Sequence, residues 1–138
     1  MLDNATDKEV KLTWKHKGVN FKGFADMITT FEGKQCVVDI KTTTDAGNRF
    51  YRDLYYNDYK MQLAMYQEQF SKECDAYIIA IETTVPFNVQ VYKLDESLLF
   101  KGWMDYDHYT QKFTEWNGEP QGYSNTIIEV ATEIEEII

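Results

Sequence analysis

Val37-Val38-Asp39-Ile40-Lys41 decides how this chain folds. Side chains alternate faces along a strand, so Asp39 and Lys41 share one face while Val38 and Ile40 point the other way into a core. Thirteen positions upstream stands a second acid, Asp26, closing the run Gly23-Phe24-Ala25-Asp26. Gly33-Lys34 supplies a turn between them. Phe21 to Phe31 and Gln35 to Thr42 therefore read as neighbouring antiparallel strands, which brings Asp26 beside Asp39. Two carboxylates are hard oxygen ligands, and Mg²⁺ in particular takes only one or two of them and keeps several waters. A lysine beside such an ion can orient attacking water and offset charge developing on a phosphate. Taken alone, the Asp-x-Lys triplet fits a solvated strand face better than a site.

Downstream, Asn57-Asp58-Tyr59-Lys60-Met61-Gln62-Leu63-Ala64-Met65-Tyr66 continues to Phe70 with helical periodicity. Tyr59, Gln62 or Leu63, Tyr66 and Phe70 recur at three- and four-residue steps and give one buried face. A glutamine is costly to bury on an apolar stripe unless its amide is partnered, so Gln62 is expected to face a polar site. A helix merely packed on a sheet, with Gln62 at its margin, is the competing reading.

Gly-x-x-Asp, Asp-x-Lys and Gln-x-x-x-Tyr, in this order and spacing, resemble the PD-(D/E)xK nuclease superfamily, in particular its RecB-like branch. Lys41-Thr42-Thr43-Thr44-Asp45-Ala46, the aromatic-rich Phe50 to Tyr59, Ile81-Glu82 before Pro86-Phe87, and Trp116 to Tyr123 are similar to the exonuclease VIII (RecE-type) domain of phages and prophages. The likeness runs from about Leu12 to Ile128. It implies that Asp26 and Asp39 ligate Mg²⁺ or Mn²⁺, with the Ile40 carbonyl as a further oxygen, and that Lys41 positions the water. It also implies that Gln62 and Tyr66 support the site and the DNA backbone. Such nucleases usually carry helices upstream of the first strand, one of which adds a His or Glu to the metal site; about twenty-five residues precede Asp26 here. Among local stand-ins, His16 on the first strand (Lys11 to Lys17) and His108 on a late helix read as surface histidines, and Glu9 is the remaining candidate.

The chain is acidic, with a net charge of −9, although nucleic-acid affinity rests on Lys and Arg. Distribution reduces the conflict. From Phe113 onward there are six acids and no base, so residues 1–112 hold all 14 basic residues and a balance of only −3. Lys15, Lys17, Lys22, Lys34, Arg49, Arg52 and Lys60 are the candidate phosphate contacts. Two unpaired cysteines, Cys36 on a strand and Cys74 just before one, read as reduced thiols, and two cannot hold a four-cysteine iron–sulfur cluster within one chain. No apolar run reaches the ~18–20 residues of a membrane span and no signal-peptide core is present, which predicts a cytoplasmic protein.

The 138 residues fit one domain, with a core from about 11 to 115 and an acidic tail from about 116 to 138. Ala76 to Thr83 reads as an apolar strand, Pro86 as a break, and Asn88 to Leu94 as another strand. A helix from Glu96 to Glu115 follows, with Asp95 as N-cap and Leu98, Leu99, Trp103, Tyr106, Tyr109 and Phe113 as its buried stripe. A helix-length crossover requires the fourth strand to run parallel to the Asp39 strand. The expected fold is α/β, a mixed central sheet flanked by helices with a restriction-endonuclease-like core. The tail from Thr126 to Ile138 alternates apolar and acidic residues, available to this core or to another subunit. The expected activity is metal-dependent DNA hydrolysis without ATP, directed at linear duplex ends, with a single-strand annealing protein as partner and a homo-oligomer as assembly. A structure-dependent endonuclease and a non-cleaving DNA-binding or assembly module are the alternatives.

Overall fold

The structure, a computed structural model, describes residues 5–70, 73–116 and 118. Five strands form one sheet in the order β1 (Ala5–His16), β2 (Val19–Phe31), β3 (Lys34–Thr43), β4 (Asp75–Glu82) and β5 (Val89–Lys93). Neighbours are antiparallel except β3 and β4, which run parallel, with Asp39 opposite Ile78 and Lys41 opposite Ala80. The crossover between them is two helices, α1 (Asn48–Tyr56) and α2 (Tyr59–Gln67). The sequence pattern shows only the second. α1 carries Arg and Tyr where a clean apolar stripe would stand, and anchors itself through Phe50 and Leu54 alone.

The β2–β3 turn falls at Glu32-Gly33, both at positive φ (51° and 80°), rather than at Gly33-Lys34. Two left-handed residues match the twist of a tight hairpin, and glycine adopts one at no steric penalty. Lys34 therefore begins β3.

All three helices pack on one sheet face, around Val37, Ala76, Ile78 and Ala80, with Leu63, Phe50 and Leu99 supplied by the helices. The opposite face gathers Met27, Cys36, Val38, Tyr77 and Ile79. Cys36 and Cys74 are both buried free thiols, and burial pushes the Cys74 thiol up to about 11.

The long helix α3 (Glu96–Glu115) starts as expected, with Asp95 accepting the Leu98 N–H at 2.8 Å. Its buried stripe is Leu99, Gly102, Tyr106 and Thr110. Tyr109 and Phe113, expected in that stripe, are more than half exposed. The physical reason is a close helix crossing. A Cβ on Gly102 would stand 2.3 Å from the Lys60 carbonyl oxygen, so α2 approaches α3 over this glycine and rotates the contact line away from Tyr109. The segment Thr126 to Ile138 lies outside the described residues.

Candidate active site

Continuing the β2–β3 register one step beyond Met27 opposite Val38 sets Asp26 against Asp39. The Ile40 N–H donates to Asp26 Oδ2 at 2.7 Å, which fixes that carboxylate across the strand pair. Asp39 is 4% exposed. Lys41 Nζ lies 2.9 Å from Asp39 Oδ2, which pairs the ammonium with this buried oxygen. Burial, then the neighbouring Asp26 carboxyl, push Asp39 up to about 6 against the pull of Lys41. A buried carboxylate next to a second one is a site that a cation would complete.

Lys41 Nζ also donates to Gln62 Oε1 at 3.1 Å and sits 4.9 Å from the centre of the Tyr59 ring. Gln62 thus faces a polar partner at the edge of its apolar stripe. Tyr59, one turn before it on α2, reaches the same ammonium; sequence reasoning placed it in the stripe and missed this contact. Its three-residue spacing from Gln62 is the signal that was available.

Tyr66 takes a different place. It is 7% exposed, edge-on to Trp14 at 6.2 Å, and its ring and hydroxyl press on Gly23, where a Cβ would stand 2.7 Å away. It thus meets β2 three residues before Asp26. Gly23 of the Gly-x-x-Asp run has a steric cause: a Cβ there would push against the end of the tyrosine side chain.

Among the described residues no three His, Cys, Asp or Glu side chains converge on a common point. Glu9 is exposed on β1. His16 is not a plain surface residue: Nε2 lies 2.7 Å from Asp107 Oδ1 and the ring packs on Tyr106, so it joins β1 to α3. His108 is exposed. Two carboxylates and a backbone carbonyl suffice for Mg²⁺, which retains waters. The donor set fits such an ion.

The expected phosphate contacts divide. Lys60 is buried and its Nζ donates to the carbonyls of Tyr55 and Asn57, closing the C-terminus of α1. It is not a surface cation. Lys17 pairs with Asp107 at 3.3 Å. Lys15 and Lys22 are exposed on the hairpin face opposite the helices, while Arg49 and Arg52 project from α1.

A mixed sheet with helices on the face that carries two facing carboxylates and a lysine defines an α/β nuclease-like domain. Over residues 2–121 the sequence matches one family model, and the chain belongs to that family, the PDDEXK-like domain of unknown function (DUF3799). This places it in the PD-(D/E)xK superfamily, whose nucleases generally use divalent metals. Its fold is similar to that of a candidate exonuclease from Eubacterium rectale, with 14% identity and a TM-score of 0.65 over 99% of this chain. The chain spans 58% of that protein's length. A second structure, SSO0001, is similar over 81% of this chain and 52% of its own, with 26% identity and a TM-score of 0.46. No curated protein matches. No helix among the described residues is long and apolar enough to cross a membrane.

Proposed function

We propose that this domain is a Mg²⁺- or Mn²⁺-dependent deoxyribonuclease that hydrolyses DNA phosphodiester bonds, as an exonuclease acting on linear duplex ends. The observation that carries the reading is the buried Asp39 carboxylate, facing Asp26 across one strand pair and Lys41 on the same strand. Asp26, Asp39 and the Ile40 carbonyl would hold the cation. When bound, the cation supplies Lewis-acid polarisation of the phosphate and a more acidic water. Lys41 keeps its ammonium at the site through Gln62 and offsets charge that builds on the phosphate oxygens. Tyr66 acts one step removed, by setting the strand that leads to Asp26. The RecE-type likeness extends this reading to recombination, with a single-strand annealing protein as partner and a homo-oligomer as the working form.

A second reading has its own support. Of the expected phosphate contacts, Lys60 is buried, Lys17 is ion-paired, and Lys15 and Lys22 lie on the sheet face away from the helices. That favours the assembly role of a non-cleaving module over a self-sufficient nuclease, because DNA affinity rests on basic side chains. A structure-dependent endonuclease would use the same site.

One experiment separates these. The purified chain is incubated with end-labelled linear duplex and closed circular DNA in Mg²⁺, Mn²⁺ or EDTA, beside Asp39→Ala. Metal-dependent loss of the linear form alone, absent in the variant, is the expected result. Cleavage of the circle would establish an endonuclease. DNA binding without cleavage, equal in parent and variant, would overturn the nuclease reading.

A further inference from the structure

We propose that Tyr59 is a positioning residue for Lys41, its ring serving as the wall against which the ammonium is held. This inference rests on the nuclease reading for its kinetic consequence, but not for its geometry. Three groups surround Lys41 Nζ: Asp39 Oδ2 at 2.9 Å, Gln62 Oε1 at 3.1 Å and the Tyr59 ring centre at 4.9 Å. They are not equivalent. Asp39 is the carboxylate that a cation would take, and its attraction for Lys41 weakens when it is shared. Gln62 offers a single neutral acceptor. The π-face attracts the ammonium whether or not Asp39 is engaged, because its pull comes from the ring quadrupole.

The wall is itself fixed. Tyr59 stacks on Phe50, with ring centres 5.7 Å apart and planes 19° apart, and Phe50 is 1% exposed. Phe50 packs in turn on Tyr92 at 5.6 Å, whose hydroxyl donates to the carbonyls of Ala46 and Gly47. An aromatic column thus runs from the loop after β3 to the lysine on β3. A ring backed by Phe50 loses little freedom on contact with the ammonium. Tyr59 and Gln62, three residues apart on α2, grip Lys41 from one helix face.

The role requires the ring and not the hydroxyl, which sets the test. Tyr59→Phe and Tyr59→Leu are compared with the parent, after a thermal melt has shown that each folds; if Tyr59→Leu does not fold, Tyr59→Met, which fills space without a π-face, replaces it. The first readout is the proton shift of the Lys41 ε-methylene in the DNA-free chain, assigned with Lys41→Arg. An upfield ring-current shift is expected in the parent and in Tyr59→Phe, and an ordinary shift in the aliphatic variant. The second is steady-state cleavage of linear duplex with Mg²⁺. The expected result is kcat lower by about tenfold in the aliphatic variant, KM within about twofold of the parent, and Tyr59→Phe close to the parent. An unshifted Lys41 resonance in the parent, an aliphatic variant with parental kcat, or a Tyr59→Phe as impaired as Tyr59→Leu would each overturn the proposal. A parent that cleaves nothing defeats the nuclease reading, while the ring-current shift still decides whether Tyr59 holds Lys41.

Discussion

Asp26 Oδ2 accepts the Ile40 N–H at 2.7 Å, so the carboxylate of one strand is tied to the backbone between the two charged residues of the next. The carboxylate pair is thereby set by the β2–β3 ladder, without help from a mobile loop.

Removing either end of the charged triplet should abolish activity and spare the fold. Asp39→Ala and Lys41→Ala are expected to lower metal-dependent cleavage by at least about 10²–10³-fold. Circular dichroism should stay parental. Parental cleavage in either variant excludes the site.

The ionisation of Asp39 makes the metal-free chain pH-sensitive. Its carboxyl is raised from 3.8 to about 6, so the folded state binds the proton more tightly than the unfolded one. That stabilisation is complete below about pH 4 and is lost as pH rises through about 6. Asp39→Asn should remove this loss, on the order of 2 kcal/mol in urea melts compared at pH 4 and pH 7. A divalent cation must displace the same proton, so its affinity should weaken as pH falls below about 6, as measured by calorimetry.

The α2–α3 crossing should tolerate no side chain at Gly102. A Cβ there meets Lys60 backbone atoms at 2.3 and 2.6 Å, which cannot swing aside as a side chain could. Gly102→Ala is expected to cost about 2–3 kcal/mol in chemical denaturation.

Gly23 and Tyr66 should behave as a coupled pair. Gly23→Ala forces the tyrosine ring back and is expected to cost about 1–3 kcal/mol. With Tyr66→Leu already in place the same change should cost less, a coupling of about 0.5–3 kcal/mol in a double-mutant cycle. Strict additivity would show that the two do not press on one another.

Buried Glu82 accepts the N–H groups of Ala46 at 3.0 Å and Asn88 at 2.9 Å, so it ties the β3–α1 and β4–β5 loops together. Glu82→Gln turns one acceptor into a donor facing a backbone N–H and should cost about 1–3 kcal/mol. Hydrogen exchange at Ala46 and Asn88 would report the loss.

Much of this was legible in the chain because it depends on local periodicity. Strand alternation put Asp39 and Lys41 on one face, the tight turn folded Asp26 back towards them, Asp95 capped α3, and a helix-length crossover made β3 and β4 parallel. Other features depend on where separate segments meet, which no period records. Lys60 looks like a surface cation until α1 ends over it, Tyr66 shows no sign in sequence of its seat against Gly23, and Tyr109 looks like core until Gly102 turns α3. The unusual ionisation of Asp39 likewise belongs to the fold alone, since desolvation by packed neighbours and the nearness of Asp26 exist only after the sheet has closed.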